Sequence, residues 1–535
     1  MVKAIEKYPL LTLSIIVLVM LLPNLDVMNV TIMEARNFIS AREMVIDGNW
    51  ILTTLNGEPR YQKPPLPTWI TAVFGYFSEF KSLFFLRLPS VLMILISGIT
   101  IYFLSLKLLK NNLHSFYNAL IVITSFYVIG ITIEAPWDIY NHSFMLLAIY
   151  FLWLVFEKDS KRIEFILASI FMGFSFLSKG PVSFYALLLP FLISYGLIYK
   201  FNKKKLLDLI IVIALALIIG GWWFLYVRLT DPESFLKITE RETTNWSSYN
   251  VRPFYYYWSF FTQSGLWTIP AFIGLIYPYL KNKVSNLKAY QFSIIWVIGS
   301  LVLLSIIPEK KSRYLMPLLL PLAINTGFYI EYIIREFKDL KNYKETIPVY
   351  FNFGLIAIIG ILFPLITYGI FEDDLSGFWF NYIFASLSLF IISLLILIYL
   401  KQKELKKVFY LSVLFFCLVL VAVLPLSKAF IKNDNYLSIS ELNSSSKEIL
   451  IYSFGVVSPE LIWEYGDKIA PFSKVSSEIK EFGLLTKFNT LGEVEANFQD
   501  YKIDYKLTFD LNPMPENSKK YRDRLKTDYY ILTKK

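Results

Sequence analysis

Residues 203–231 read KKKLLDLIIVIALALIIGGWWFLYVRLTD. From Leu206 to Val227 the run is apolar except for Asp208, with neither the two-residue alternation of a half-buried strand nor the polar stripe of a surface helix. At about 1.5 Å per residue, such a run is long enough to cross a hydrocarbon core of roughly 30 Å. Three lysines close one end, and Trp222, Trp223 and Tyr226 crowd the other, where aromatic rings suit a membrane interface. This stretch makes lipid, not water, the solvent for much of the chain.

The same pattern repeats outward from it. Thirteen helical spans are expected, at about 8–26, 83–106, 115–133, 140–156, 163–178, 182–199, 206–228, 255–280, 290–307, 314–334, 347–370, 378–400 and 408–428. The first has no small-residue cleavage site and leads into further spans, so it is read as an anchor and not a cleaved signal. Apolar residues make up 56% of the 535 positions and charged ones 18%, against about 25% in soluble domains. A soluble enzyme, a disordered chain and a disulfide scaffold are thereby excluded, the last because Cys417 is the only cysteine. A net charge of +10 could signal nucleic acid, but its placement decides otherwise. Alternate short loops, from Lys3 and Lys7 through Lys200–Lys205 to Lys401–Lys407, hold 22 basic residues, including Lys158, Lys161 and Arg162. The opposite short loops hold four: Lys179, Lys310, Lys311 and Arg313. Positive charge collects on the cytoplasmic side, so the N-terminus is expected there and, with an odd number of spans, the C-terminal region outside. No nucleic-acid partner is expected.

From residue 429 the composition changes to 15 basic and 16 acidic residues, with strand-like EILIYSFG and DYYILTKK around a helix-like SPELIWEYG. A small α/β domain at 429–535 on the outer, periplasmic face is expected, either a packing or lid module or a contributor to chemistry. The fold class is therefore an α-helical polytopic membrane protein (1–428) with that domain appended.

An anchor would need only short, bland outer loops. Two are long. Loop 27–82 contains NVTIMEARNFISAREMVIDGNWILTTLNGEPRYQKPPLPTWITAVF, with Glu34, Arg36, Arg42 and Glu43 on a helix-forming half, a turn at Asn56-Gly57 and a stiff Lys63-Pro64-Pro65. Loop 229–254 brings Glu240, Arg241, Glu242 and Arg252. Shorter outer loops add Glu134 and Asp138, then Lys179, then Lys310, Lys311, Arg313 and Tyr314. Each has a plainer reading beside the functional one. Asp138 could cap the following helix, Lys179 could anchor at the interface, and the 310–313 cations could snorkel. Yet acids at span ends are unnecessary for anchoring, and an outer mouth collecting carboxylates and cations suits an anionic lipid headgroup. Cations would hold its phosphate, and a carboxylate would orient or deprotonate an acceptor.

The ordered set EARNFISAREM, GNW, LNGEPRYQKPPLPTW, a span-end Asp, LSKGP and KKSRYLMP resembles integral-membrane glycosyltransferases of the GT-C type, in particular the 4-amino-4-deoxy-L-arabinose transferase (ArnT-like) branch related to protein mannosyltransferases. The resemblance covers about residues 1–430. It implies thirteen spans, an outward-facing site in the inner membrane, a polyprenyl-phosphate-linked sugar donor, and transfer to a lipid A-like, glycan or protein acceptor. The family's D-E-T-R box falls on Met33, Glu34, Ala35 and Arg36, so Met33 stands where the family has its leading acid; Glu34 is taken as the substitute. E-K-P-P becomes Gln62-Lys63-Pro64-Pro65, which keeps Lys63 as phosphate ligand. The family's metal-binding Glu is thus Gln62, and its later His is absent, the only two being His114 and His142. No cofactor is assigned, and a divalent metal stands only as an implication against which Gln62 argues. Asp138 matches the second acidic position, Lys179 the K-G-P box and Tyr314 the Tyr before the later L-x-P; Arg241 or Arg252 matches a phosphate-binding Arg. The expected site is Glu34 and Asp138 as acids, with Arg36, Lys63, Lys179, Arg241, Arg252, Lys310, Lys311, Arg313 and Tyr314 binding donor. A transporter or flippase of lipid-linked sugars is the competing class, and would place charges near span centres. A scaffold presenting the C-terminal domain is the third, and has no need of Lys63 or Asp138.

Overall fold

The computed structural model describes residues 2–134, 136–157, 162–371, 375–445, 449–474 and 479–535. Lys158, Lys161 and part of the loop expected at 371–377 lie outside the described residues, as does the side chain of Glu134. The elements used below, in chain order, are α1 (Pro9–Leu21), α2 (Ile32–Asp47), β1 (Thr54–Leu55), β2 (Glu58–Pro59), α3 (Leu66–Tyr76), α4 (Leu83–Leu109), α5 (Asn112–Ile123), α6 (Phe126–Glu134), α7 (Pro136–Glu157), α8 (Arg162–Lys179), α9 (Leu189–Ile198), α10 (Lys203–Thr230), α11 (Pro232–Ser248), α12 (Leu287–Ile306), α13 (Met316–Glu336), α14 (Tyr343–Phe371), α15 (Trp379–Lys401) and α16 (Leu405–Leu418). They continue with β3 (Ile451–Phe454), α17 (Pro459–Tyr465), β4 (Ala470–Pro471), β5 (Glu481–Lys487), α18 (Leu491–Asn497), β6 (Tyr501–Asp510) and β7 (Lys526–Lys534).

Eight helices among the described residues are long and apolar enough to cross a membrane, or nine if α5 and α6, bent by 53° at their junction, form one span. The quoted run is α10, which buries only 28% of its most apolar window, while α7 and α13 bury 83% and 89%. The bundle is therefore built around α7 and α13, with α10, α14 and α15 at its rim. Rim residues such as Ile218 (69% exposed) and Phe380 (79%) would be costly in water and are ordinary against lipid. Tight contacts use small residues. A Cβ on Gly220 of α10 would lie 2.4 Å from the Gly173 carbonyl oxygen of α8, so only glycine admits that approach.

Four of the thirteen expected runs take shorter or broken forms. Run 8–26 is the 13-residue α1 plus a short 3₁₀ turn, and 115–133 is the bent α5–α6 pair. Run 163–178 is helical throughout as the 18-residue α8, which carries Arg162, Glu164 and Lys179 and is not among the helices apolar enough to cross a membrane. Run 182–199 is a π-turn at Phe184–Leu188 followed by α9. Run 255–280 is not one helix. It breaks into 3₁₀ turns at Phe254–Tyr257 and Phe260–Trp267 and short helices at Thr268–Gly274 and Tyr277–Leu280. The cause is Gly265 at φ 64°, held against Phe126, with Pro270 and Pro278 removing further donors. The polar groups freed at the α5–α6 bend are satisfied locally: Thr124 donates to the Leu120 carbonyl at 2.6 Å and accepts from Trp267 Nε1 at 2.9 Å.

The long first outer loop is ordered by its own chemistry. Thr31 and Glu34 form a reciprocal capping box at the start of α2, and Gly48 at φ 69° ends the helix. Asn56 and Gly57, both at positive φ, turn the β1–β2 hairpin. Glu43 secures that turn, accepting from Thr54 Oγ1 at 2.5 Å, Asn56 N at 2.7 Å and Gly57 N at 3.2 Å. Beyond residue 430, a five-stranded sheet in the order β4-β3-β5-β7-β6 has β3 parallel to β4 and β5, and β7 antiparallel to β5 and β6. The stretch SPELIWEYG supplies α17 and ends in Gly466 at φ 90°.

Candidate functional site: a basic cavity beside a buried acid

Asn250–Arg252, just after α11, lies antiparallel to Pro308–Lys310. Arg252 N donates to the Pro308 carbonyl at 3.2 Å and Lys310 N to the Asn250 carbonyl at 3.1 Å. Tyr257 joins the second segment, its hydroxyl donating to the Lys311 carbonyl at 3.0 Å. With the first turn of α2, these segments wall an open cavity of about 440 Å³ lined by Met33, Arg36, Tyr249, Arg252, Lys310, Lys311 and Arg313, among others. Five of its lining residues are cations. One nearby carboxylate, Glu309, is paired with Lys311 and accepts from Tyr314 Oη at 3.2 Å.

A second cluster sits deeper. Helix α8 ends in Lys179, with Gly180 at φ 70° and Pro181 stopping it, and the Lys179 ammonium bonds the Asp138 carboxylate at the start of α7. Both side chains are buried. Among the described residues the other Asp138 oxygen has no hydrogen-bond partner, and His142 Nε2 lies 3.8 Å from the paired one. Tyr314 joins the two clusters: Lys179 Nζ is 5.3 Å from its ring centroid, and Lys311 and Arg313 are each 5.7 Å away.

Lys63 is half-buried. Burial, reinforced by repulsion from Lys179 and opposed by Glu242 and Asp138, lowers its pKa to about 8. Among the described residues it makes no ion pair, so its charge is unspent.

Three expected residues do not present a free group to the cavity. Glu34 is 1% exposed and held by Arg87, with Nε donating to Oε1 at 2.7 Å and Nη2 to Oε2 at 3.0 Å, while Thr31 N donates to Oε2 at 3.0 Å. Burial raises its pKa against the pull of Arg87. It is Met33, not Glu34, that α2 turns into the cavity. Lys310 lines the cavity, but its ammonium is taken by the carbonyls of Ile307 at 2.6 Å and Arg252 at 3.1 Å. Arg241 is exposed on α11 and is not part of the lining.

Sequence reasoning missed Arg60 and Arg87. Arg60 is 9% exposed, donates to the Arg36 carbonyl at 3.1 Å and lies 5.0 Å from the Trp137 ring; burial brings its pKa down to about 9. Arg87 sits inside an expected span, and that position alone marks a residue with a buried partner.

A divalent metal fits poorly. Among the described residues no three His, Cys, Asp or Glu side chains converge, Asp138 is neutralised by an ammonium, and Gln62 offers only a neutral oxygen, buried without a partner. Hard cations favour several anionic oxygens.

Comparison with known proteins gives the same reading of the fold. Residues 62–224 match the family model described as dolichyl-phosphate-mannose-protein mannosyltransferase. An undecaprenyl phosphate-alpha-4-amino-4-deoxy-L-arabinose arabinosyl transferase of Proteus mirabilis is 24% identical over 348 residues, 62% of this chain and 61% of that protein. An uncharacterized protein of Aquifex aeolicus is 27% identical over 61% of this chain and 66% of its own length. The matches thus span less than two thirds of these relatives. The crystal structure of ArnT from Cupriavidus metallidurans in the apo state superposes with a TM-score of 0.70 at 16% identity, covering 98% of this chain and 97% of that one. The same protein bound to undecaprenyl phosphate gives 0.69 at 15%, with the same coverage. In fold, then, this is an ArnT-like multi-pass membrane protein, carrying over residues 62–224 the pattern of the mannosyltransferase family model.

Proposed function

We propose that the protein is a glycosyltransferase that moves a sugar from a polyprenyl-phosphate donor to a lipid, glycan or protein acceptor at the outer face of the inner membrane. One observation carries this reading: an open cavity lined by five cations, with Glu309 its one nearby carboxylate, stands beside a buried Asp138–Lys179 pair, with Tyr314 bridging the two. The names of the arabinosyl transferase relatives and the undecaprenyl phosphate bound to the ArnT structure support the class of donor.

Arg36, Arg252, Lys311, Arg313 and Lys63 hold the donor phosphate and stabilise the charge that develops on it as the glycosidic bond breaks. Asp138, whose second oxygen is unclaimed, orients the acceptor, and Lys179 keeps it ionised. Glu34 acts indirectly, fixing the start of α2 and so the placement of Arg36. No step needs a metal. Residues 1–428 form the transferring module and 429–535 an outer-face domain, with the N-terminus cytoplasmic; the shorter apolar helices α1 and α9, the 18-residue α8 and the broken 255–280 segment make up the thirteen-helix complement.

The test is transfer in proteoliposomes. Radiolabelled polyprenyl-phosphate sugar should pass its label to an acceptor fraction. If no acceptor is labelled while a related transferase works under the same conditions, the reading fails, and label crossing the bilayer unchanged would indicate a flippase instead.

A further inference from the structure

The C-terminal segment carries two charged residues with no role so far, Glu460 and Arg524. Helix α17 packs on α2, and the chain from it to Ile469 runs on along α2 and its hairpin with residue numbers rising together. Trp463 packs on Phe38, ring centroids 5.3 Å apart, and under the Arg42 guanidinium at 5.6 Å, while Arg42 Nη2 donates to the Ile462 carbonyl at 3.5 Å. Further on, Lys468 pairs with Asp47 at 2.6 Å, and Asn56 exchanges two 2.7 Å hydrogen bonds with Ile469. This register brings the start of α17 to the cavity end of α2. Glu460 stands there, 6% exposed, with Oε1 paired to Arg524 Nη1 at 2.5 Å and Oε2 buried without a hydrogen-bond partner among the described residues.

Arg36 is the group that needs such a neighbour. It shares the cavity with Arg252, Lys310, Lys311 and Arg313. Burial lowers its pKa; Glu460 is the strongest charge opposing that, and Arg313 and Arg524 push with burial. Lys311 already has a counter-charge in Glu309.

We propose that Glu460 is a positioning residue, the counter-charge that keeps the Arg36 guanidinium in place among like charges, so that the C-terminal domain completes the phosphate site. The inference rests on the phosphate-binding reading given above. Its test is titration of the full-length protein in detergent with undecaprenyl phosphate. Wild type should bind, Glu460→Gln should bind roughly two- to 150-fold more weakly, the span expected for one coupled charge pair, and Glu460→Asp should recover most of the loss. In an Arg36→Gln background, Glu460→Gln should cost nothing further, because its effect runs through Arg36. Arg524→Gln leaves Glu460 charged and removes its competitor, so it should bind at least as tightly as wild type. Equal binding by Glu460→Gln and wild type overturns the inference. So does a Glu460→Gln loss that adds in full to Arg36→Gln, or an Arg524→Gln loss matching that of Glu460→Gln, since either would mean the pair only holds the domain together. Failure of wild type itself to bind defeats the phosphate site, and the transferase reading with it.

Discussion

Lys63 reports on its surroundings through pH. Its folded pKa of about 8 lies below the ordinary lysine value near 10.4. The sugar-phosphate diester keeps one negative charge across this range, so donor affinity should weaken as pH rises through 8 and Lys63 loses its proton. Stability should run the other way. A lysine harder to protonate when folded opposes folding while it is charged, and that opposition fades between about pH 8 and 10.4. Donor KM rising from pH 7 to 9 without a fall in Tm is the expected result, and Lys63→Met should abolish the KM trend. The Asp138–Lys179 pair gives a second prediction. Lys179→Met strands a buried carboxylate and should cost about 3–5 kcal/mol, whereas Asp138→Asn with Lys179→Met should regain much of that stability and still transfer nothing; thermal denaturation beside a transfer assay separates the two. Asp138, Lys179 and Tyr314 were legible as span-end polar residues. The Glu34–Arg87 pair was not, because an alignment to the family's acidic box ranks Glu34 by its neighbour Met33, while its burial depends on an arginine 53 positions away.

Helices were legible wherever one apolar run met lipid without interruption, as α10 and α15 do. Run 255–280 misled because its apolar count ignores Gly265, Pro270 and Pro278, and backbone geometry overrides hydropathy there. What α2 does was partly legible: the capping box and the Asn56-Gly57 turn follow from local chemistry, but Glu43 as the acceptor for that turn requires the folded hairpin. The α8–α10 contact yields a prediction at this scale. Gly220→Leu would drive a side chain into the Gly173 carbonyl and Phe176, part the two helices and shift Lys179 at the end of α8. It should cost about 1–3 kcal/mol as overpacking does, and lower transfer more than donor binding. A fully active Gly220→Leu protein with unchanged Tm would refute that account of the contact.

Charge distribution governs the molecule as a whole. Of 52 basic residues, 22 fall in one alternating set of short loops, and that excess of lysine and arginine predicts this set to be the cytoplasmic one. Of the four cations in the opposite short loops, Lys310, Lys311 and Arg313 line the cavity and Lys179 pairs with Asp138, so the residues behind the topology expectation also carry the proposed chemistry. The order of the apolar runs and the change of composition after residue 429 are readable from where charge falls, and sidedness is an expectation from the same pattern; how the C-terminal segment grips α2 is not readable, since Phe38–Trp463 and Asp47–Lys468 join positions more than 400 residues apart. Orientation can be tested cleanly because Cys417 is the single cysteine and is buried. In a Cys417→Ala background, cysteines replacing the exposed Lys203 and Glu495 sit at the start of α10 and on α18. A membrane-impermeant maleimide added to spheroplasts should label Glu495→Cys at once and Lys203→Cys only after the membrane is opened. The reverse pattern would put the basic cavity on the cytoplasmic side, where it would face a different pool of acceptors and the proposed outer-face transfer would have to be abandoned.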